Sequence, residues 1–299
     1  MSTLEPGDFT RSRIAIGTAQ FGLSYGVANQ SGIVPAEIVK KILQEAYAYG
    51  INTLDTAISY GISEKILGQI GIAPWQVISK LPRVPCTVKD VPGYIVQQVE
   101  GSLEKLNIGS LDGLLMHDPK QLLEKSGPII YRTLCDLRQQ GLIKNIGISI
   151  YDPQDLEELV RDRDFNIVQG PFNAFDQRML TSGWLAELDK MNVEFHARSI
   201  FLQGLLLMQN KPNFFEKWTD LFVSWDQWLS KSGLTSLEGA LLCAVSNHEI
   251  KKIILGLDSL GHLHQIMRAI ERLDGMNLSP PQFEIQDSSL LNPSKWDLR

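Results

Sequence analysis

The chain has little cysteine, no long apolar run and no concentrated positive charge, and each shortage closes off a class of function. Only three cysteines stand among 299 residues. Cys86, Cys135 and Cys243 are odd in number and lack the C-x-x-C spacing of zinc or dithiol chemistry, so they read as reduced structural thiols, and no metal is expected. No apolar stretch approaches the roughly 18 residues of a membrane-spanning helix, and "MSTLEPGDFTRSR" at the start has no apolar core of leader length. A membrane partner is therefore not expected, and cytoplasmic residence is the default. The formal charge is -6, and the pairs Lys40-Lys41 and Lys251-Lys252 are isolated, so no basic stripe exists for a phosphate backbone and no nucleic acid is expected. Also missing is a G-x-G-x-x-G fingerprint after a strand. "GTAQFG" (17–22) has the wrong spacing, and it lacks the Lys-Ser/Thr of a phosphate-binding loop.

What is present is alternation. Short β-rich runs at 13–20, 51–57, 76–82, 111–118, 144–150, 165–173, 193–200 and 251–258 are each followed by a segment of helical period. Ile38, Val39, Ile42, Leu43 and Ala46 share a face between Pro35 and Tyr49; Val96, Val99, Leu103 and Leu106 share another. Asp152 and Pro153 read as N-cap and first residue of a helix carrying Leu156, Leu159 and Val160 inward. A long, less regular helical region spans about 214–245, where Trp218, Trp225 and Trp228 fall at helical spacing and read as packing. Runs such as "NIVQG" and "KIILGL" are apolar on both faces, as in a buried parallel sheet. Eight β-α units in about 275 residues predict an α/β fold of the (β/α)8 TIM-barrel type. The expected organisation is a single barrel domain over 1–299, with an irregular C-terminal tail from about 276.

In such barrels the active site lies where the strands end. Asp55 ends the second predicted strand and Tyr60 follows in its loop, Lys80 ends the third, and His117 ends the fourth. Each has a bland alternative: a helix cap, an edge ring, an exposed lysine, a satisfied histidine. Together they support a specific chemistry. An ammonium beside a phenol favours the phenolate, a carboxylate holds the ammonium, and a neutral imidazole orients a carbonyl oxygen next to the phenol. Such a proton donor suits a substrate oxygen that becomes an alkoxide. Hydride addition to a C=O makes one, and hydride comes from a nicotinamide or flavin because no side chain supplies it.

These segments resemble the aldo-keto reductase superfamily. "GTAQFG", "INTLDTAISYGISEKILG", "VISKLP", "LLMHDP", "IGISIYDPQDLEEL", "VQGPFN" and "IILGLDS" occur in that family's order. The resemblance implies a barrel that binds NADP(H) and reduces aldehydes or ketones, with a catalytic tetrad at Asp55, Tyr60, Lys80 and His117. It also places Ser149 and Gln169 at the nicotinamide carboxamide. Departures accompany it: Ile150 stands where an Asn is usual, and Arg198, followed by Ser199, replaces a ring-stacking Tyr. After the eighth strand, Asp258, Ser259, His262, Gln265 and Ile266 replace the usual cofactor-binding set. An acid suits a ribose hydroxyl better than a phosphate, while His262 and Arg268 could supply positive charge. NADP(H) is the favoured cofactor, and NAD(H) stays open.

The expected reaction is reduction of a small or sugar-like carbonyl substrate, with Tyr60 as general acid. Two alternatives stand beside it: an NAD-dependent aldose dehydrogenase running the reverse reaction, and a nucleotide-binding regulatory subunit with little turnover. Phe21, Tyr25, Tyr151, Phe201 and the 209–230 segment are candidate mouth residues. Oligomeric state is not legible.

Overall fold

The computed structural model describes residues 11–27, 29 and 32–296. The reading of the first ten residues therefore lies outside the described residues. Eight strands, β1 (Ile14–Gly17), β2 (Thr53–Asp55), β3 (Gln76–Leu81), β4 (Gly113–Met116), β5 (Ile146–Ser149), β6 (Ile167–Pro171), β7 (Glu194–Arg198) and β8 (Ile250–Gly256), close into one barrel in sequence order. Every neighbouring pair is parallel, and β1 closes on β8. The expected (β/α)8 architecture is what the chain adopts. The strands are shorter than their apolar runs, because residues beyond each ladder turn into loops.

Side chains alternate along a strand, so residues two apart share a face. One step of this rule assembles the site. Ile78 and Lys80 share one face of β3, Leu115 and His117 one line through the end of β4, and Gly147 and Ser149 one face of β5. Ile167 and Gln169 do so on β6, and His196 and Arg198 on β7. Ile78, Leu115 and Ile167 form a buried cluster separate from the main core. Gly113 and Gly147 make room for it: a Cβ on Gly113 would lie 2.8 Å from Ile167 and 2.9 Å from Ile78, and one on Gly147 would lie 2.4 Å from Leu115. The polar residues occupy the next layer, at the C-terminal ends of the strands.

The helices cover the outside through apolar stripes. Ala36–Ala48 buries Val39, Ile42, Leu43 and Ala46, with Ile38 only half-buried. Val91–Leu106 starts where the Asp90 carboxylate accepts from the Gly93 amide, and it ends at Asn107 in the left-handed region. Its buried face runs Ile95, Val99, Leu103 and Leu106, so Ile95 takes the place expected for Val96, which is half-buried. Steps of four, four and three follow the 3.6 period more closely than a start at 96 does.

Two other expectations are corrected. The segment after Asp152 is a 3-10 turn (Pro153–Asp155) and one α-turn (Leu156–Leu159), with Asp152 capping Gln154 and Val160 closing it half-buried. The polar run "RDRD" that follows offers nothing to bury. The long region divides into Asn213–Trp218, Thr219–Ser232 and Ser236–Val245. Gly233 at φ 66° ends the middle piece, and a Thr235–Glu238 capping box starts the last. Trp225 is buried and stacks on Trp228 at 5.2 Å. The tail beyond Leu273 is irregular but pinned: Gln177 donates to the Pro281 carbonyl, and Leu290 and Leu291 are buried.

Candidate active site

Asp55, Lys80, Tyr60 and His117 meet at the barrel mouth. Lys80 is 1% exposed and donates to Asp55 Oδ2 at 2.6 Å and to the Thr56 carbonyl at 2.9 Å. The other Asp55 oxygen accepts from Gln169 Nε2 at 2.7 Å. Burial by itself lowers the Lys80 ammonium, but Asp55 and then Tyr60 outweigh it and hold the group above the ordinary lysine range. Lys80 is therefore a fixed cation under Tyr60. Its Nζ lies 5.1 Å from the Tyr60 ring centroid, on the face of the ring, and the phenol oxygen has no hydrogen-bond partner among the described residues.

Burial, then the charges of Lys80 and Arg198, lower His117 to about 4. Its imidazole is neutral at pH 7. Its Nδ1 is hydrogen-bonded to Ser59 Oγ at 3.3 Å, which leaves Nε2 to face a ligand. The ring meets Tyr60 edge-on, with centroids 6.1 Å apart.

Close backbone packing sets the Tyr60 loop. A Cβ on Gly22 would fall 1.9 Å from the Tyr60 carbonyl oxygen, and one on Gly61, at φ 56°, would fall 2.3 Å from the Gly22 carbonyl oxygen. Two chain segments thus touch through glycines on either side of the tyrosine. Thr18 ties the first of them to β2, donating to the Asp55 carbonyl through both its amide and its hydroxyl.

Together these residues open onto a cavity of about 390 Å³. Ser149, Gln169, Arg198, Ser199, Asp258 and His262 line it along with the four already named. Ser259 and Gln265 do not: the Ser259 hydroxyl accepts from the His262 amide as the cap of helix Leu260–Leu273, and Gln265 is exposed on that helix. Arg268 is exposed too, and His262 Nδ1 is in contact with Asp258. Of the candidate mouth residues, Tyr25, Tyr151 and Phe201 line the cavity, whereas Phe21 is core.

Sequence reasoning missed Gln20, Asn29, Gln203 and Gly204, which also line it. Ser199, Leu202, Gln203 and Gly204 all have positive φ, so the wall after β7 is a left-handed turn. Only Gly204 carried a signal for it. Arg178, tied to Asp176 and Asp152, was missed as well.

The chain belongs to the aldo/keto reductase family, whose model, "Aldo/keto reductase family", matches residues 13–280. Its members are oxidoreductases that act on carbonyl or alcohol groups with a nicotinamide cofactor. The chain is 23% identical to an L-galactose dehydrogenase of Arabidopsis thaliana, over 95% of this chain and 92% of the relative. It is 29% identical to an aldo-keto reductase of Gibberella moniliformis over 64% of this chain, and that match spans 60% of the relative's length. An NADH-specific methylglyoxal reductase of Escherichia coli is 25% identical, with 58% of each chain covered. In fold, the chain matches an aldo-keto reductase from Bacillus halodurans in its holo form, with a TM-score of 0.71 at 19% identity, over 90% of this chain and 88% of the other.

Proposed function

We propose that this protein is a carbonyl reductase that takes hydride from a nicotinamide dinucleotide, with Tyr60 as the proton donor. The observation that carries the reading is the buried Lys80–Asp55 pair beneath an unpartnered phenol and beside a neutral imidazole, all at one cavity.

The residues suit the cofactor. A hydroxyl and a primary amide, Ser149 and Gln169, flank the cavity, as a carboxamide requires. When bound, the nicotinamide supplies or accepts the hydride. Everything else falls to the chain. His117 Nε2 donates to the carbonyl oxygen, so the imidazole is its Nε2–H tautomer. Tyr60 delivers its proton as that oxygen gains charge, and Lys80 stabilises the phenolate left behind. Asp55 keeps the ammonium in place, and Gln169 keeps Asp55 in place.

Run in reverse as an aldose dehydrogenase, the same atoms would make Tyr60 the base, and the relatives include both reductases and dehydrogenases. The expectation of NADP(H) rests on family habit. Asp258 on the cavity wall, with His262 held against it and Arg268 facing solvent, favours the free ribose hydroxyl of NAD(H). The enzyme is expected to act on small carbonyl compounds in the cytoplasm.

Titration with NADH and NADPH, followed by initial rates on a panel of aldehydes, ketones and sugars, tests this. Micromolar nucleotide binding with turnover is the expected result. Nucleotide binding without turnover of any carbonyl or alcohol would leave the regulatory-subunit reading in its place. Tyr60→Phe is expected to keep nucleotide affinity while turnover falls by roughly 10²–10⁴-fold.

A further inference from the structure

Two arginines stand near the mouth of the barrel, and they are treated differently. Arg178 is neutralised twice, by Asp176 at 2.8 Å and by Asp152 at 3.2 Å. Arg198 has no carboxylate partner among the described residues. Its guanidinium donates to the Ile150 carbonyl at 3.0 Å and to Ser199 Oγ at 3.4 Å, so two of the five N–H donors of an arginine are engaged. One face lies 4.3 Å from the half-exposed Tyr151 ring, and the group lines the cavity.

Among the described residues, neither carboxylate of the cavity answers Arg198. Asp55 is paired with Lys80, Asp258 is in contact with His262, and His117 is neutral at pH 7. Asp176, an acid that feels the charge of Arg198, is committed to Arg178. Arg198 is left as a cation with free donors and no carboxylate partner among the described residues. It projects from the same inner layer as Lys80 and His117, near enough that both feel its charge. A cation so placed is a receptor for anionic oxygens, and a guanidinium grips carboxylate or phosphate with two parallel bonds.

The geometry points to a substrate that carries a carboxylate or phosphate a few atoms from its reacting carbonyl, with Arg198 as the residue that holds that anion. This rests on the carbonyl-reductase reading. The diphosphate of the dinucleotide is the other source of anionic oxygen. It is separated from the reacting ring by a ribose, whereas Arg198 shares a layer with the reacting groups, and that favours the substrate.

Matched substrates test it: benzaldehyde against 4-carboxybenzaldehyde, and glyceraldehyde against glyceraldehyde 3-phosphate, with wild type, Arg198→Gln and Arg198→Lys. The wild type is expected to favour the anionic member by about tenfold or more in kcat/KM, mainly through KM. In Arg198→Gln the ratio is expected to fall to near one, and Arg198→Lys should recover part of it. Nucleotide affinity, read by fluorescence, is expected to shift less than about threefold in both variants.

No preference in wild type, or a preference that survives in Arg198→Gln, overturns the proposal. So does a large loss of nucleotide affinity in Arg198→Gln with the ratio intact, which would assign the guanidinium to the diphosphate. If no carbonyl is turned over, the catalytic reading fails separately. Calorimetry of 4-carboxybenzyl alcohol against benzyl alcohol on the nucleotide complex then decides: preferential binding lost in Arg198→Gln upholds the anion site, and equal binding overturns it.

Discussion

Lys80 and Lys252 sit at opposite ends of the same barrel, and burial acts on both, yet their charges are managed in opposite ways. At the mouth, Lys80 faces a carboxylate and stays above the ordinary lysine range although burial opposes it. At the foot, among the described residues, Lys252 donates to the Ser12 carbonyl and the Thr53 hydroxyl alone, and burial, partly offset by Glu194, leaves it lowered. Neutral oxygens satisfy hydrogen bonds without holding a charge. What separates the two lysines is a single aspartate, Asp55, which stands where its strand ends.

Lys80→Met should break the mouth most severely. It leaves Asp55 buried without its cation, at a cost of about 3–5 kcal/mol in unfolding free energy, and turnover should drop by roughly 10²–10⁴-fold. Lys252→Met should leave turnover unchanged and shift stability by no more than about 1–2 kcal/mol. Urea unfolding and initial rates on both variants measure this, and equal losses would erase the distinction.

Gly22→Ala probes the mouth without touching a charge. Its methyl meets the Tyr60 carbonyl oxygen, so Tyr60 must move, and a displacement near 1 Å is expected to reduce turnover about 100-fold. Retained nucleotide affinity, measured by fluorescence, would show that the barrel itself is intact.

His117 sharpens the contrast through pH. The unfolded chain takes up its proton near pH 6.5, while the folded chain resists until about 4. The unfolded state therefore binds more protons within that window, and stability present above 6.5 is lost as pH falls towards 4. The difference in unfolding free energy between pH 7 and 4.5 should be smaller in His117→Gln than in wild type. The smallest effect is reserved for a residue remote from both lysines: Thr235→Ala removes a capping box and should cost about 1 kcal/mol with no change in rate.

The polar layer at the mouth was legible in the sequence because each member sits at the end of an apolar run, where a polar residue is conspicuous. Asp55 after "INTL", Lys80 after "VIS" and His117 after "LLM" all follow that pattern. Arg198 was found by resemblance, and its lack of a carboxylate partner needed coordinates, since nothing in "HARSIF" says that Asp176 answers to Arg178 instead. The left-handed turn from Ser199 to Gly204 was illegible for a related reason. Three non-glycine residues adopt it, so the burial of Ile200 and Leu202 must impose what local preference resists. By contrast, the break at Gly233, passed over in reading 214–245 as one region, had a signal in "GLTSLE", where a glycine precedes a Thr-x-x-Glu capping pattern.

The packed floor of Ile78, Leu115 and Ile167, closed by glycines that leave no slack, turns the vessel above it into a blind alley. Redesign for new substrates can work on the rim, whereas thickening the base at Gly147 would press on the Ile167 backbone carbonyl and on Leu115.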